Sequence, residues 1–227
     1  MRESLNKLFN FFFTSASLSN SFFLFGFTLP LYFVYSTFAT SQSNIDSYRF
    51  YYNSGVDRTR SRDYKGALKD YTKALEYKPG SKDAYINRGT VRRNLGDYQG
   101  ALADYSKGIS LDADDYAAFY NRATLKDELG DYEGALKDYN EVIILQPNFV
   151  HSYFFRALIQ KRNKNYKEAI LDLNTVLSIE TEYPGAYKNR GIIKELEGDL
   201  KGACADWRKT VGIGRYDAQR WVAEQCE

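Results

Sequence analysis

The sequence predicts an all-α solenoid of stacked helix pairs, and three observations carry that prediction. Landmark residues return every 34 positions: Ala67, Ala101, Ala135, Ala169 and Ala203, or Tyr51, Tyr85, Phe119, Tyr153 and Tyr187. Apolar residues inside each period fall at helical spacing. A Gly-Asp step, or a stand-in for it, punctuates the middle of every period. A fixed period of this size marks a repeat array. The array divides into five units without insertion, 48–81, 82–115, 116–149, 150–183 and 184–217, with the pattern fading after residue 211.

Within a unit the first helix carries apolar or small residues at unit positions 1, 4, 5 and 8, and the second at 20, 21, 24, 27, 28 and 30. Between them stands Gly-Asp at 96–97, 130–131 and 198–199, replaced by Arg-Asp at 62–63 and Lys-Asn at 164–165. Glycine there ends one helix and Asp or Asn caps the next. Pro79 and Pro147 close the second helices of their units. A single helix pair cannot bury its apolar face, so the units must stack.

Composition narrows the function classes. Lys and Arg total 31 against 29 for Asp and Glu, a balance of +2 that gives no footing for nucleic-acid binding. One His and two Cys argue against multi-ligand zinc, haem or iron–sulfur sites, and no cofactor or metal is expected. Gly212-Ile213-Gly214 follows a helix rather than a strand, so it is no nucleotide-binding loop. His151 has no nucleophile at a recognisable spacing. The chain reads as a non-enzyme. Of its 20 Tyr, most sit at unit positions 4, 17 and 24, where they fill helix seams.

The N-terminal stretch 1–39 has a different character. Only Arg2, Glu3 and Lys7 carry charge before Asp46, and the 18 residues from Phe22 to Ala39 carry none. As a helix that run would span about 27 Å, just short of a hydrocarbon core. Three readings fit: an export signal, cleaved after Ala39 or kept as a membrane anchor; a Ser- and Phe-rich organelle transit peptide; or a hydrophobic helix packed on the repeats. Residues 40–47 would form a linker. The first reading places the repeats in an exported or membrane-anchored setting, on the periplasmic or thylakoid-lumen side.

A 34-residue helix–turn–helix with an aromatic at position 4, a small residue at 8, Tyr at 17, Ala at 20 and an aromatic at 24 resembles the tetratricopeptide repeat. The resemblance covers 48–211 and implies a right-handed superhelix acting as a protein-interaction scaffold. It further implies that the first helices line a concave groove for an extended peptide or partner helix. On those helices Asn recurs at position 6 as Asn53, Asn87, Asn121 and Asn189, and an amide can serve a peptide backbone as donor and acceptor. Tyr52 and Tyr120 join them at position 5. Unit 4 departs, gathering His151, Phe154, Phe155 and Leu158 into an expected apolar pocket, with packing against the N-terminal segment or a second copy as the other reading. The basic clamp by which relatives grip the C-terminal tails of heat-shock chaperones is not matched: Tyr52, Val56, Ala117 and Asn121 occupy four of its five positions in units 1 to 3. The partner is then another protein or peptide. The alternative role is a membrane-anchored assembly factor for a membrane complex.

Two sets of polar residues complete the expectations. Position 7 carries Ser54, Arg88, Arg122, Arg156 and Arg190, and position 23 carries Asp70, Asp104, Asp138, Asp172 and Asp206. Because unit 1 has Ser54 and lacks a preceding Asp, the expected register is between units: Asp70–Arg88, Asp104–Arg122, Asp138–Arg156 and Asp172–Arg190. At the C-terminus, 212–227 forms a turn and a cap helix resembling the solvating helix of such arrays, with Asp217 as its cap and Ala218, Trp221 and Val222 as its apolar face. Folding that helix back about residues 214–215 brings Cys204 beside Cys226 and Trp207 beside Trp221, and a disulfide follows if the compartment is oxidising. GACADW and WVAEQC are similar to closing segments of bacterial, including cyanobacterial, members.

Overall fold

The computed structural model describes residues 25–183 and 185–226. They form eleven α-helices and one 3-10 turn, with no strand among the described residues. Unit 1 comprises α1 (Phe25–Arg60) and α2 (Tyr64–Tyr77), and unit 2 α3 (Lys82–Asn94) and α4 (Tyr98–Leu111). Unit 3 comprises α5 (Tyr116–Glu128) and α6 (Tyr132–Leu145), unit 4 α7 (Val150–Arg162) and α8 (Tyr166–Ile179), and unit 5 α9 (Ala186–Leu196) and α10 (Leu200–Gly212). The turn Tyr216–Ala218 leads into α11 (Gln219–Gln225), which lies on α10. Each first helix packs on its own second helix, and each second helix on the next unit's first. The first helices α1 and α3, α3 and α5, and α7 and α9 also approach one another, so they run along the inner side of the stack.

The repeated residues fill the seams as their spacing requires. Ala67, Ala101, Ala135, Ala169 and Ala203 are wholly buried, and position 24 (Tyr71, Tyr105, Tyr139, Leu173, Trp207) supplies the large side chain of each unit. Close packing makes the facing position 8 small. A Cβ on Gly191 would fall 2.5 Å from the Trp207 indole nitrogen.

The mid-unit turns follow the Gly-Asp logic closely. Gly96, Gly130 and Gly198 take φ of 82°, 82° and 87°, the left-handed region open to glycine. The carboxylates of Asp63, Asp97, Asp131 and Asp199 then accept from the backbone N–H of Gly66, Gly100, Gly134 and Gly202. A Cβ on Gly100 would meet the Asp97 carboxylate at 2.2 Å, which explains the glycine three residues past each cap. Unit 4 breaks all three habits. Lys164 is left-handed at φ 62°, Asn165 makes no side-chain cap bond, contrary to expectation, and Glu168 stands where the others have glycine. Lys164→Gly should therefore raise unfolding stability by about 0.5–1 kcal/mol, read as a higher urea midpoint at constant slope.

The expected ion-pair register is overturned. Arg88 pairs with Asp104, Arg122 with Asp138, Arg156 with Asp172 and Arg190 with Asp206, all within one unit. Each pair is bidentate through Nε and Nη2, at 2.8 Å and 2.8 Å for Arg122. The bridge between units is made by the third nitrogen: Nη1 of Arg122, Arg156 and Arg190 reaches Ser106, Asn140 and Asn174 of the preceding second helix. Each guanidinium also lies over the aromatic three residues before it, Arg122 over Phe119 at 5.6 Å. In unit 1, which no second helix precedes among the described residues, Ser54 donates to Asp70 at 2.6 Å and Arg58 supplies the charge. A second cation, Arg92, Lys126 or Lys194, joins the carboxylate in units 2, 3 and 5. In unit 4 that place holds Gln160, whose buried Oε1 has no hydrogen-bond partner among the described residues.

At the ends, the structure revises two expectations. Residues 40–47 are not a separate linker but part of α1, which runs unbroken for 36 residues into the first repeat. The N-terminal stretch lies outside the described residues up to Leu24, and no helix among the described residues is long and apolar enough to cross a membrane. Asp217 sits in the 3-10 turn and accepts from Lys188 at 2.6 Å instead of capping α11. Ala218, Trp221 and Val222 do face α10, and the Cys204–Cys226 disulfide closes the cap with Trp207 and Trp221 5.3 Å apart.

Candidate partner-binding groove

Position 6 and its neighbours on the inner helices divide into two sets. In units 1 and 2 the polar groups satisfy one another. The Asn87 amide donates to the Tyr52 hydroxyl at 3.0 Å, while Tyr52 stacks on Tyr48 and meets Tyr71 edge-on. Tyr48 in turn shares a 2.8 Å hydrogen bond with Ser81. Burial beside Asp83 pushes the Tyr52 hydroxyl pKa up. Asn53 is exposed and lines a separate depression on α1 with Phe50 and Asp57. Asn189 is held between Lys161, which donates to its Oδ1, and the Gly185 carbonyl. Asn121 is half-buried, and its side-chain amide makes no hydrogen bond among the described residues. The asparagine row is therefore not one uniform set of free amides.

The aromatic set forms the more continuous surface. Tyr120 meets Phe149 at 5.0 Å, Phe149 meets His151 at 5.5 Å, His151 meets Tyr183 at 5.6 Å and Tyr183 meets Phe154 at 4.9 Å between ring centroids. Phe155 joins Phe154 at 5.6 Å and stacks on buried Tyr139 at 6.2 Å. Tyr116 extends the strip toward unit 2 through Phe149. Such edge and offset contacts favour one another beyond area burial. The strip crosses units 3 and 4, and among the described residues its aromatics pack on one another rather than on α1. Burial pushes the pKa of Tyr120 up, and that of Tyr183 up to about 12.

Two members, Phe149 and Tyr183, escape sequence reading because they occupy the last unit position, outside the groove positions expected to meet a ligand. In units 1 and 2 that position holds Ser81 and Asp115, whose side chains cap the next helix. Phe149 makes no such bond at α7. The readable signal was the replacement of a capping residue by an aromatic, twice in succession. Leu158 leads from the strip into a basin of about 480 Å³ walled by Asp127, Glu128, Tyr132, Lys161, Arg162 and Asn189.

Stacked helix pairs with a lined inner face define a helical-repeat scaffold. The chain belongs to the tetratricopeptide repeat family: tetratricopeptide repeat models match residues 52–118, 116–149 and 150–183. Among solved structures it is similar to MamA, at 20% identity and a TM-score of 0.69 over 77% of this chain and 95% of that one. A tetratricopeptide repeat protein from Parabacteroides merdae gives 24%, 0.70, 76% and 68% in the same terms. YrrB, described as a TPR protein with an unusual peptide-binding site, gives 21%, 0.64, 72% and 84%. These likenesses establish the fold. No curated protein matches the sequence significantly. Members of the family act as protein–protein interaction scaffolds, and no group of metal-binding side chains occurs among the described residues.

Proposed function

We propose that the chain binds an extended segment of a partner protein along its inner face, with the aromatic strip of units 3 and 4 as the anchoring surface. The observation that carries this reading is the run of aromatics from Tyr116 to Tyr183, in which Phe149 and Tyr183 stand where units 1 and 2 have the capping Ser81 and Asp115, and Phe155 stands where they have Asn53 and Asn87. Aromatic surface of this kind supplies large contact area at low rotamer cost. The engaged Asn87 and Asn189 support the floor, and Asn121 remains available to a bound backbone.

The test uses the most exposed members, because Phe155 also packs on Tyr139 and its loss would cost stability. His151→Ala together with Tyr116→Ala should weaken capture of a selected peptide at least tenfold, about 1.4 kcal/mol, with the thermal midpoint unchanged. Undiminished capture would refute the reading. Asn121→Ala is expected to give a smaller loss.

The disulfide favours a second statement, about setting. A Cys204–Cys226 bond persists in oxidising compartments, and this supports an exported location, periplasmic or lumenal, for the repeats. Whether an N-terminal anchor then holds them to a membrane complex as an assembly factor is tested by N-terminal sequencing: a start near Thr40 favours a soluble form, an intact Met1 an anchored one.

A further inference from the structure

The basin beyond Leu158 is electrically divided. Its unit 3 wall carries Asp127 and Glu128 at the end of α5, and its unit 4 wall carries Lys161 and Arg162 at the end of α7. Most charges on the inner helices already have counterions: Arg93 is taken by Glu128, and Lys188 by Asp217. Two of those without one are Asp127 and Lys161, which line the basin. Both are half-buried, and neither forms an ion pair among the described residues. Lys161 has only the neutral Asn189 oxygen, at 2.5 Å. Arg162 lies over the Tyr132 ring at 4.5 Å and likewise has no ion pair among the described residues. Burial and the neighbouring Glu128 push the Asp127 pKa up against the opposing pull of Arg162, and burial and Lys188 push the Lys161 pKa down.

We propose that this basin sets the direction of the bound segment by reading two of its side chains in order, a basic one against Asp127 and an acidic one against Lys161. The inference rests on the groove reading above. A segment lying on the strip can enter the basin from either end, and the aromatics alone do not distinguish them. Opposite charges on facing walls do, because reversed entry would bring like charges together in a partly desolvated site.

The experiment is selection from a random dodecapeptide display library against the full chain and against the Asp127→Lys/Lys161→Glu double variant. Binders to the native chain should carry a basic and an acidic residue at a recurring separation and in one order. Binders to the double variant should carry them in the opposite order. Replacing the acidic residue of a selected peptide by its amide should weaken binding roughly fivefold, about 1 kcal/mol. Binders without the charge pair, or with the same order for both proteins, would overturn the proposal while leaving the groove standing. No enrichment, or enrichment that survives loss of His151 and Tyr116, would overturn the groove reading and this inference with it. Circular dichroism of the double variant confirms that a changed selection is not unfolding.

Discussion

Replacing Asp138 by Ala should cost about 3–5 kcal/mol of stability, a large effect for a single polar side chain. That side chain is 5% exposed and receives Nε and Nη2 of Arg122 and the Lys126 ammonium. Removing it leaves two cations at the seam of α5 and α6 with no counter-charge, and the penalty comes from those stranded charges rather than from the worth of the pair. Asp172→Ala should cost less, because Arg156 is its one cation and Gln160 is neutral. A double-mutant cycle gives the decisive measurement. Arg122 should couple strongly to Asp138, in its own unit, and weakly to Asp104, in the unit before. Equal coupling to both would contradict the geometry.

The second large effect is expected at the cap. The disulfide closes a loop of sequence separation 22, which the chain-entropy relation converts to about 3 kcal/mol. Cys204→Ser with Cys226→Ser, or reduction of the native chain, should lower the urea midpoint accordingly. The effect is expected to be local first. Tethering by the bond helps α11, only seven residues long, to cover Ala203, Cys204 and Trp207. Trp emission should therefore shift to the red in the reduced protein before the helical signal falls, since Trp207 is wholly buried under Trp221. Simultaneous loss of both signals would show that the cap and the array unfold as one.

How much of this was legible in the sequence depends on the kind of interaction. The seams were, because Ala at position 20 and an aromatic at 24 recur with the helical period and packing has no alternative use for them. The disulfide was, since folding α11 back on α10 leaves one geometry for Cys204 and Cys226. The Arg–Asp register was not. Position 7 reaches position 23 of its own unit and position 25 of the unit before, and spacing alone does not show which of the two carries the charge. The choice follows from the guanidinium having two faces to satisfy, one toward its own Asp and one toward Ser106, Asn140 or Asn174. In the groove, Phe154, Phe155 and His151 stood out as departures from the repeat. Phe149 and Tyr183 lay hidden at a position that elsewhere does capping work.

The unbroken course of α1 changes what the N-terminal stretch can transmit. A polar linker would let the repeats turn freely about their attachment, whereas a helix of 36 residues measures about 54 Å and shares its last turns with the first seam of the array. Whatever holds the far end of that rod also sets the heading of the superhelix. The groove would then be presented at a set height and angle, like a jib on a mast, and a twist or pull on a captured partner would pass down α1 as torque instead of being lost in slack.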